Sequence, residues 1–232
     1  MRPERGRMET GWVRELRECV VVTGMVLRAA PSGEGDRRLV MLTRERGRIT
    51  VFARGARRPG SPFLAACRPF SFGTYRLYEG RDAYNLQGAE ITAYFEELSA
   101  DIGRACYGSY FLEVAEYFSR ENLDGTELLT LVYQSLRALL KESIPDELVR
   151  RIFELKTMVL NGEYTELPPL PVSDSACYTW EYVTAAPLGK LYTFTVTAEV
   201  LAEFGRCVDE AKRRFLPHHF RSLDILEAVA GP

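Results

Sequence analysis

The chain has 232 residues, 46% of them hydrophobic, and a formal net charge of −2, so it is long enough for one large or two modest domains and can bury a core. No apolar run approaches the ~20 residues needed to span a bilayer, and residues 1–17 mix five arginines with Glu4, Glu9 and Glu15, which is no signal-peptide pattern; a cytoplasmic protein without membrane contact is expected, preceded by a flexible lead over 1–17. Five cysteines, Cys19, Cys67, Cys106, Cys177 and Cys207, are odd in number and far apart, suggesting neither a disulfide framework nor a CxxC metal site.

After the lead, Glu18 to Arg28 reads as a strand with Val20, Val22 and Val26 on one face and Val21, Met25 and Leu27 on the other, buried on both sides. Pro31 to Asp36 is turn-rich. It contains a Gly-x-Gly, but no following lysine with Ser or Thr and no opening helix, so a nucleotide-cradling loop is not expected from the context. Arg37 to Arg44 forms a second strand, joined through Glu45, Arg46 and Gly47 to a third, Arg48 to Arg54; a three-residue link with glycine is a hairpin signal. In that third strand Ile49, Val51 and Ala53 share one face and Arg48, Thr50, Phe52 and Arg54 the other. The chain then runs into Gly55, Arg57, Arg58, Pro59, Gly60 and Pro62, a loop whose arginines have no acid within it to pair with. Pro69 to Gly80 and Ala83 to Ile91 supply two more strands. Five short strands with a longer excursion after the third suit a five-stranded barrel of the oligonucleotide-binding (OB) kind, with an SH3-like barrel as the alternative.

From Arg28 to Arg81 there are twelve arginines and no lysine against four acids, a net of +8 inside a chain of −2. A basic module attached to an acidic remainder is the footprint of polyanion binding. Set against it is the possibility that an arginine-rich hairpin merely blunts a solvated edge. The nucleic-acid-binding candidates are Arg28, Arg37, Arg44, Arg48, Arg54, Arg57 and Arg58 for phosphates, with Phe52 and Phe63 as stacking planes.

Near Tyr94 the hydrophobic period changes. Tyr107, Tyr110, Phe111, Val114 and Phe118, then Leu128 to Leu139, then Leu148 to Val159, fall at helical spacing and predict three amphipathic helices. Asp124 and Thr126 suit a cap, Pro145, Asp146 and Glu147 a first turn, and Asn161-Gly162 a terminus. Residues 90–160 sum to −6. About 163–196 reads as an irregular insert, with Pro168, Pro169, Pro171 and Pro187 around Tyr178, Trp180 and Tyr182. Thr197 to Leu216 is expected to be helical and to be followed by a short last helix. Lys212, Arg213, Arg214 and Arg221 form a second basic patch, for DNA or for the helix dipole. His218 and His219 are adjacent in a Pro-flanked turn with no nucleophile motif beside them, so surface turn residues are expected rather than catalytic ones.

The assembled segments resemble the bacterial RecO family of recombination mediators. They are GMVLRAAPSGEGDRRLVMLTRERGRITVFARGARRPGSPFLAACRPF, YRLYEGRDAYNLQGAEI, FELKTMVLNGEYTEL and HHFRSLDIL. The resemblance implies an α+β chain, an OB-fold barrel over 18–92 followed by a helical domain over 93–232 with a small irregular C-terminal element. It further implies a non-enzymatic protein that binds single- and double-stranded DNA, anneals complementary strands and, with RecR, helps load RecA onto DNA coated by single-strand binding protein. Many members carry a four-cysteine zinc site after the third helix. Here only Cys177 stands in that region, and four N or S ligands are required, so no cofactor or metal is expected. An RNA-binding or protein-interaction OB module is the rival reading of the same residues.

Overall fold

Alternation at period two becomes five strands in the computed structural model, which describes residues 19–230; the lead read over 1–17 lies outside them. The strands are β1 (Cys19–Ser32), β2 (Asp36–Thr43), β3 (Gly47–Ala53), β4 (Phe72–Glu79) and β5 (Tyr84–Ala93). They close in the order β1-β2-β3-β5-β4. β1 is long enough to pair with β4 through its first half and with β2 through its second, and a short parallel β3–β5 contact completes the ring. That is OB topology. Val22, Val26, Leu39, Met41, Ile49, Val51, Ala53, Tyr75, Leu77 and Leu86 fill the interior. The residues between β3 and β4 form successive turns that send Ala56 and Cys67 into one end of the barrel.

β1 departs from the expectation of burial on both faces. Val21 is exposed, because the helices cover only the far half of the barrel's outer surface. Between Val26 and Arg28 the register with β2 slips by one residue, a bulge at Leu27. The extra residue turns Leu27 and Arg28 together toward the helices, the re-aiming that bulges produce.

Beyond a 3₁₀ turn (Glu96–Ala100) come α1 (Ile102–Phe118), α2 (Thr126–Leu139), α3 (Asp146–Leu160), α4 (Asp174–Ala185), α5 (Ala198–Phe215) and α6 (Arg221–Ala230). Local chemistry explains their ends. Asp101 accepts from Arg104 N, Asp124 from Thr126 N and Thr197 from Val200 N, while Gly162 takes the positive φ that stops α3. The stretch read as irregular contains α4 at its centre. Ser173 caps it by accepting from Ala176 N, and Trp180 is fully buried in the helical core, its Nε1 donating to Thr165 O at 3.1 Å. The prolines that suggested irregularity all lie outside this helix.

Besides the barrel's own interior there is a second apolar core that barrel and helices share, in which Met25, Leu27 and Leu42 join Phe111, Phe118 and Leu131. The β2–β3 turn is also tied to the α1–α2 connection by backbone bonds: Arg48 N to Arg120 O at 2.9 Å, Asn122 N to Arg46 O at 3.0 Å and Gly125 N to Arg44 O at 2.9 Å.

Candidate nucleic-acid interface

The barrel's outer face is set by strand parity. Leu39 and Met41 point inward, so Arg38 points out and Arg37 in. Arg37 lies opposite Ala53, and its Nη1 donates to Cys67 O at 2.9 Å, closing the barrel end under the turn segment. It is a strap, and the exposed cation of the pair is Arg38, which sequence reasoning counted but did not single out. Arg38 sits directly across from Phe52, and Phe52 from Asn85, so the three form one outward row over β2, β3 and β5.

Just past β3, Arg54, Arg57 and Arg58 are exposed at the same end of the barrel. Arg57 N donates to Gly35 O and its Nη1 to Gly33 O, which fastens this loop to the β1–β2 turn. Asp36, the nearby acid, accepts from Gly55 N at 2.7 Å. No carboxylate lies within 4 Å of the guanidinium nitrogens of Arg38, Arg54, Arg57 or Arg58 among the described residues. Four cations on one rim, one of them beside an aromatic ring, make a surface suited to a phosphodiester chain.

The remaining candidates are elsewhere. Arg44 follows β2 at the opposite end, seven residues along the strand from Arg37 and so ~23 Å off, where its carbonyl accepts from Gly125. Arg28 and Arg48 face α1: Arg28 makes a bidentate pair with Glu116, 2.7 Å at the shortest, and Arg48 Nη1 donates to Glu116 O at 3.0 Å. The hydrogen bonds and charge of Glu116 raise the Arg28 pKa. Phe63 packs against the barrel core rather than standing free as a plane.

The second basic patch comes apart. Lys212 is no surface cation: its Nζ donates to Glu154 at 2.6 Å, deep in a cluster with Arg150 and Arg151. Arg213 and Arg214 pair with Glu210 within α5, and only Arg221 stands exposed without a carboxylate partner among the described residues. His219 meets Asp224 at 2.9 Å, and His218 stacks on Tyr117 with ring centroids 4.3 Å apart. Neither contact aligns a nucleophile.

The residues around Cys177 do not fit a zinc ion. Its Sγ faces Glu181 Oε1 at 3.7 Å, Tyr178 is exposed and Trp180 is turned into the core. No group of three or more His, Cys, Asp or Glu stands in a metal-holding arrangement among the described residues. Nor is any helix among them long and apolar enough to cross a membrane.

A closed OB barrel with a cationic rim, docked on a helical bundle, defines a class of two-part OB-fold proteins. Within that class the comparison is specific. The family model "Recombination protein O N terminal" matches residues 20–95 and "Recombination protein O C terminal" matches 99–168. The chain belongs to the RecO family of DNA repair and recombination proteins. Curated relatives carry the name "DNA repair protein RecO". That of Alkaliphilus metalliredigens is 37% identical over 154 residues, 66% of this chain and 61% of the relative. That of Desulforudis audaxviator is 36% identical over 143 residues, 62% and 57%. That of Acetivibrio thermocellus is 22% identical over 240 residues, 89% and 96%.

Proposed function

We propose that the chain is a DNA-binding recombination mediator that acts by holding strands rather than by covalent turnover. The observation that carries this is the rim of Arg38, Arg54, Arg57 and Arg58, exposed and without carboxylate partners among the described residues. Backbone phosphates are its natural counter-ions, and such contacts carry no base information, so little sequence preference is expected. Phe52 beside Arg38 offers a plane on which one base contributes ~1–3 kcal/mol. Two complementary strands neutralised on one rim lose much of their mutual repulsion, which promotes annealing. The acidic helical half is left for protein partners: RecR, single-strand binding protein and, through them, RecA. The work takes place on nucleoid DNA in the cytoplasm and needs no metal.

The first test is salt dependence. Single-strand affinity should fall with a log–log slope of about −0.7 per neutralised phosphate, and replacing Arg57 and Arg58 together by Ala should flatten the slope by about 1.4 while weakening every sequence alike. Unchanged affinity and slope would remove the rim from the function. Preference for an equal-length RNA competitor would favour an RNA module instead. The mediator role is tested by annealing strands already coated with single-strand binding protein, a substrate on which a generic basic barrel stalls.

A further inference from the structure

The two arginines that left the rim cluster, Arg28 and Arg48, open onto a cleft of about 770 Å³ between the barrel and α1. Its volume is that of ordinary small-ligand sites, ~300–1,000 Å³. Arg28, Arg48 and Arg120 line it from the barrel and the end of α1, and Tyr117 and His218 form an aromatic wall. The rings of that wall are stacked at 4.3 Å and 25°, with Phe220 edge-on to both. Both histidine and tyrosine remain accessible, Tyr117 being 37% exposed.

The acids in the cleft are already committed. Glu113 accepts from Arg221 N, Ser222 N and Ser222 Oγ, capping the first turn of α6. Glu116 takes Nε and Nη2 of Arg28, leaving Nη1 of a side chain that is 56% exposed. Three guanidiniums beside an aromatic stack are the two elements single-strand sites combine. The place is also continuous with the rim. From Arg28 the outer face of β1 leads in four residues, ~13 Å, to the turn at Ser32–Asp36 that Arg57 grips.

We propose that this cleft takes one nucleotide of the single strand whose neighbouring phosphates lie on the rim. Its base packs on the His218–Tyr117 wall and its phosphate lies against Arg28, Arg48 and Arg120, in competition with Glu116. The inference rests on the strand-binding reading and extends it from a surface to a site. It also gives the Leu27 bulge a role, since that slip aims Arg28 into the cleft.

The experiment uses the full chain and a thymidine oligomer carrying 5-iododeoxyuridine. Photocross-links are mapped by mass spectrometry, and affinity is measured for the wild type, His218→Ala and Glu116→Gln. Cross-links at Tyr117 or His218 are expected. His218→Ala should lose roughly tenfold in affinity, within the range of one stacked base. Glu116→Gln should gain roughly fivefold, the scale of one exposed ion pair no longer opposing the phosphate; a Glu116 that only docked barrel to helix would give no gain. Cross-links confined to 52–63 with both variants at wild-type affinity would overturn the cleft while leaving the rim intact. Suppression of cross-linking by free thymidine monophosphate at concentrations below the oligomer's own Kd would also overturn it, in favour of a free-nucleotide pocket. A wild type that binds no single strand would instead sink the strand-binding reading itself.

Discussion

Glu154 is the most buried charge among the described residues, with three cations around it: Lys212 at 2.6 Å, Arg150 at 3.1 Å and Arg151 at 3.2 Å. Tyr110 also donates to it at 2.8 Å. Burial alone would raise its pKa, but Lys212, Arg150 and Arg151 outweigh burial and hold it down to about 2. A carboxyl depressed in the fold stabilises it above the unfolded pKa of ~4.3, and that contribution drains away as pH falls from there toward 2. Removing the acid strands Lys212, while Arg150 and Arg151 keep Glu147 and Asp209 as partners, and removing one partner of such a buried pair costs about 3–5 kcal/mol. Glu154→Gln is therefore expected to lower Tm sharply at pH 7 and to flatten the loss of stability between pH 4 and 2. Thermal melts at pH 7, 4 and 2 check this, and a variant that melts with the wild type's acid slope would refute it. At this scale the sequence was misleading where the partner is remote. Lys212 reads as a helix-end surface cation because Glu154 stands 58 residues away. Arg37 reads as a phosphate ligand because Cys67 O reaches it from 30 residues on. Arg38 was legible by parity alone, once Leu39 and Met41 are given to the core.

At the scale of elements, the strands, their order of turns and the first three helices follow from periodicity, since each is encoded by residues within it. α4 was hidden because its flanking prolines dominate the window, although Ser173-Asp174 is a serviceable N-cap signal. What anchors α4 was not legible at all. Lys156 on α3 is nearly buried, and its Nζ donates to Val183 O at 3.2 Å, Thr184 O at 2.9 Å and Ala186 O at 2.8 Å, gathering the carbonyls at the C-terminal end of α4. A cation at a helix C-terminus is doubly favoured, by hydrogen bonds and by the dipole. This ammonium supplies the positive charge that holds the C-terminal end of α4 against α3. Lys156→Met should then cost about 2 kcal/mol for the carbonyls left unpaired, whereas a strong chelator should leave Tm unchanged. A chelator-dependent Tm, with Lys156→Met neutral, would reverse the assignment.

At the scale of the molecule, the contrast between a basic barrel and acidic helices is visible in the charge count, but the way they are joined is not. Nothing in residues 43–48 or 119–125 announces a seam. Gly47 holds a φ of +61°, and a Cβ there would fall 2.2 Å from Arg120 O and 2.6 Å from Leu123 O. Gly125 is as constrained, 2.2 Å from Thr43 O. Backbone meets backbone because two glycines permit it. The shared apolar core runs through the same seam by way of Leu42, so barrel and helices are expected to unfold as one cooperative unit. Gly47→Ala strains the turn by ~1–2 kcal/mol through its left-handed backbone alone and must also push the α1–α2 connection away. Hydrogen exchange in increasing urea reads the consequence directly. Peptides from 39–53 and from 146–160 should open with the same urea dependence in the wild type, and Gly47→Ala should lower both together. If the variant instead exposes only the turn and the α1–α2 connection, leaving two independent openings on either side, the barrel is a separately stable module and the cleft at Arg28 becomes a hinge rather than a fixed site.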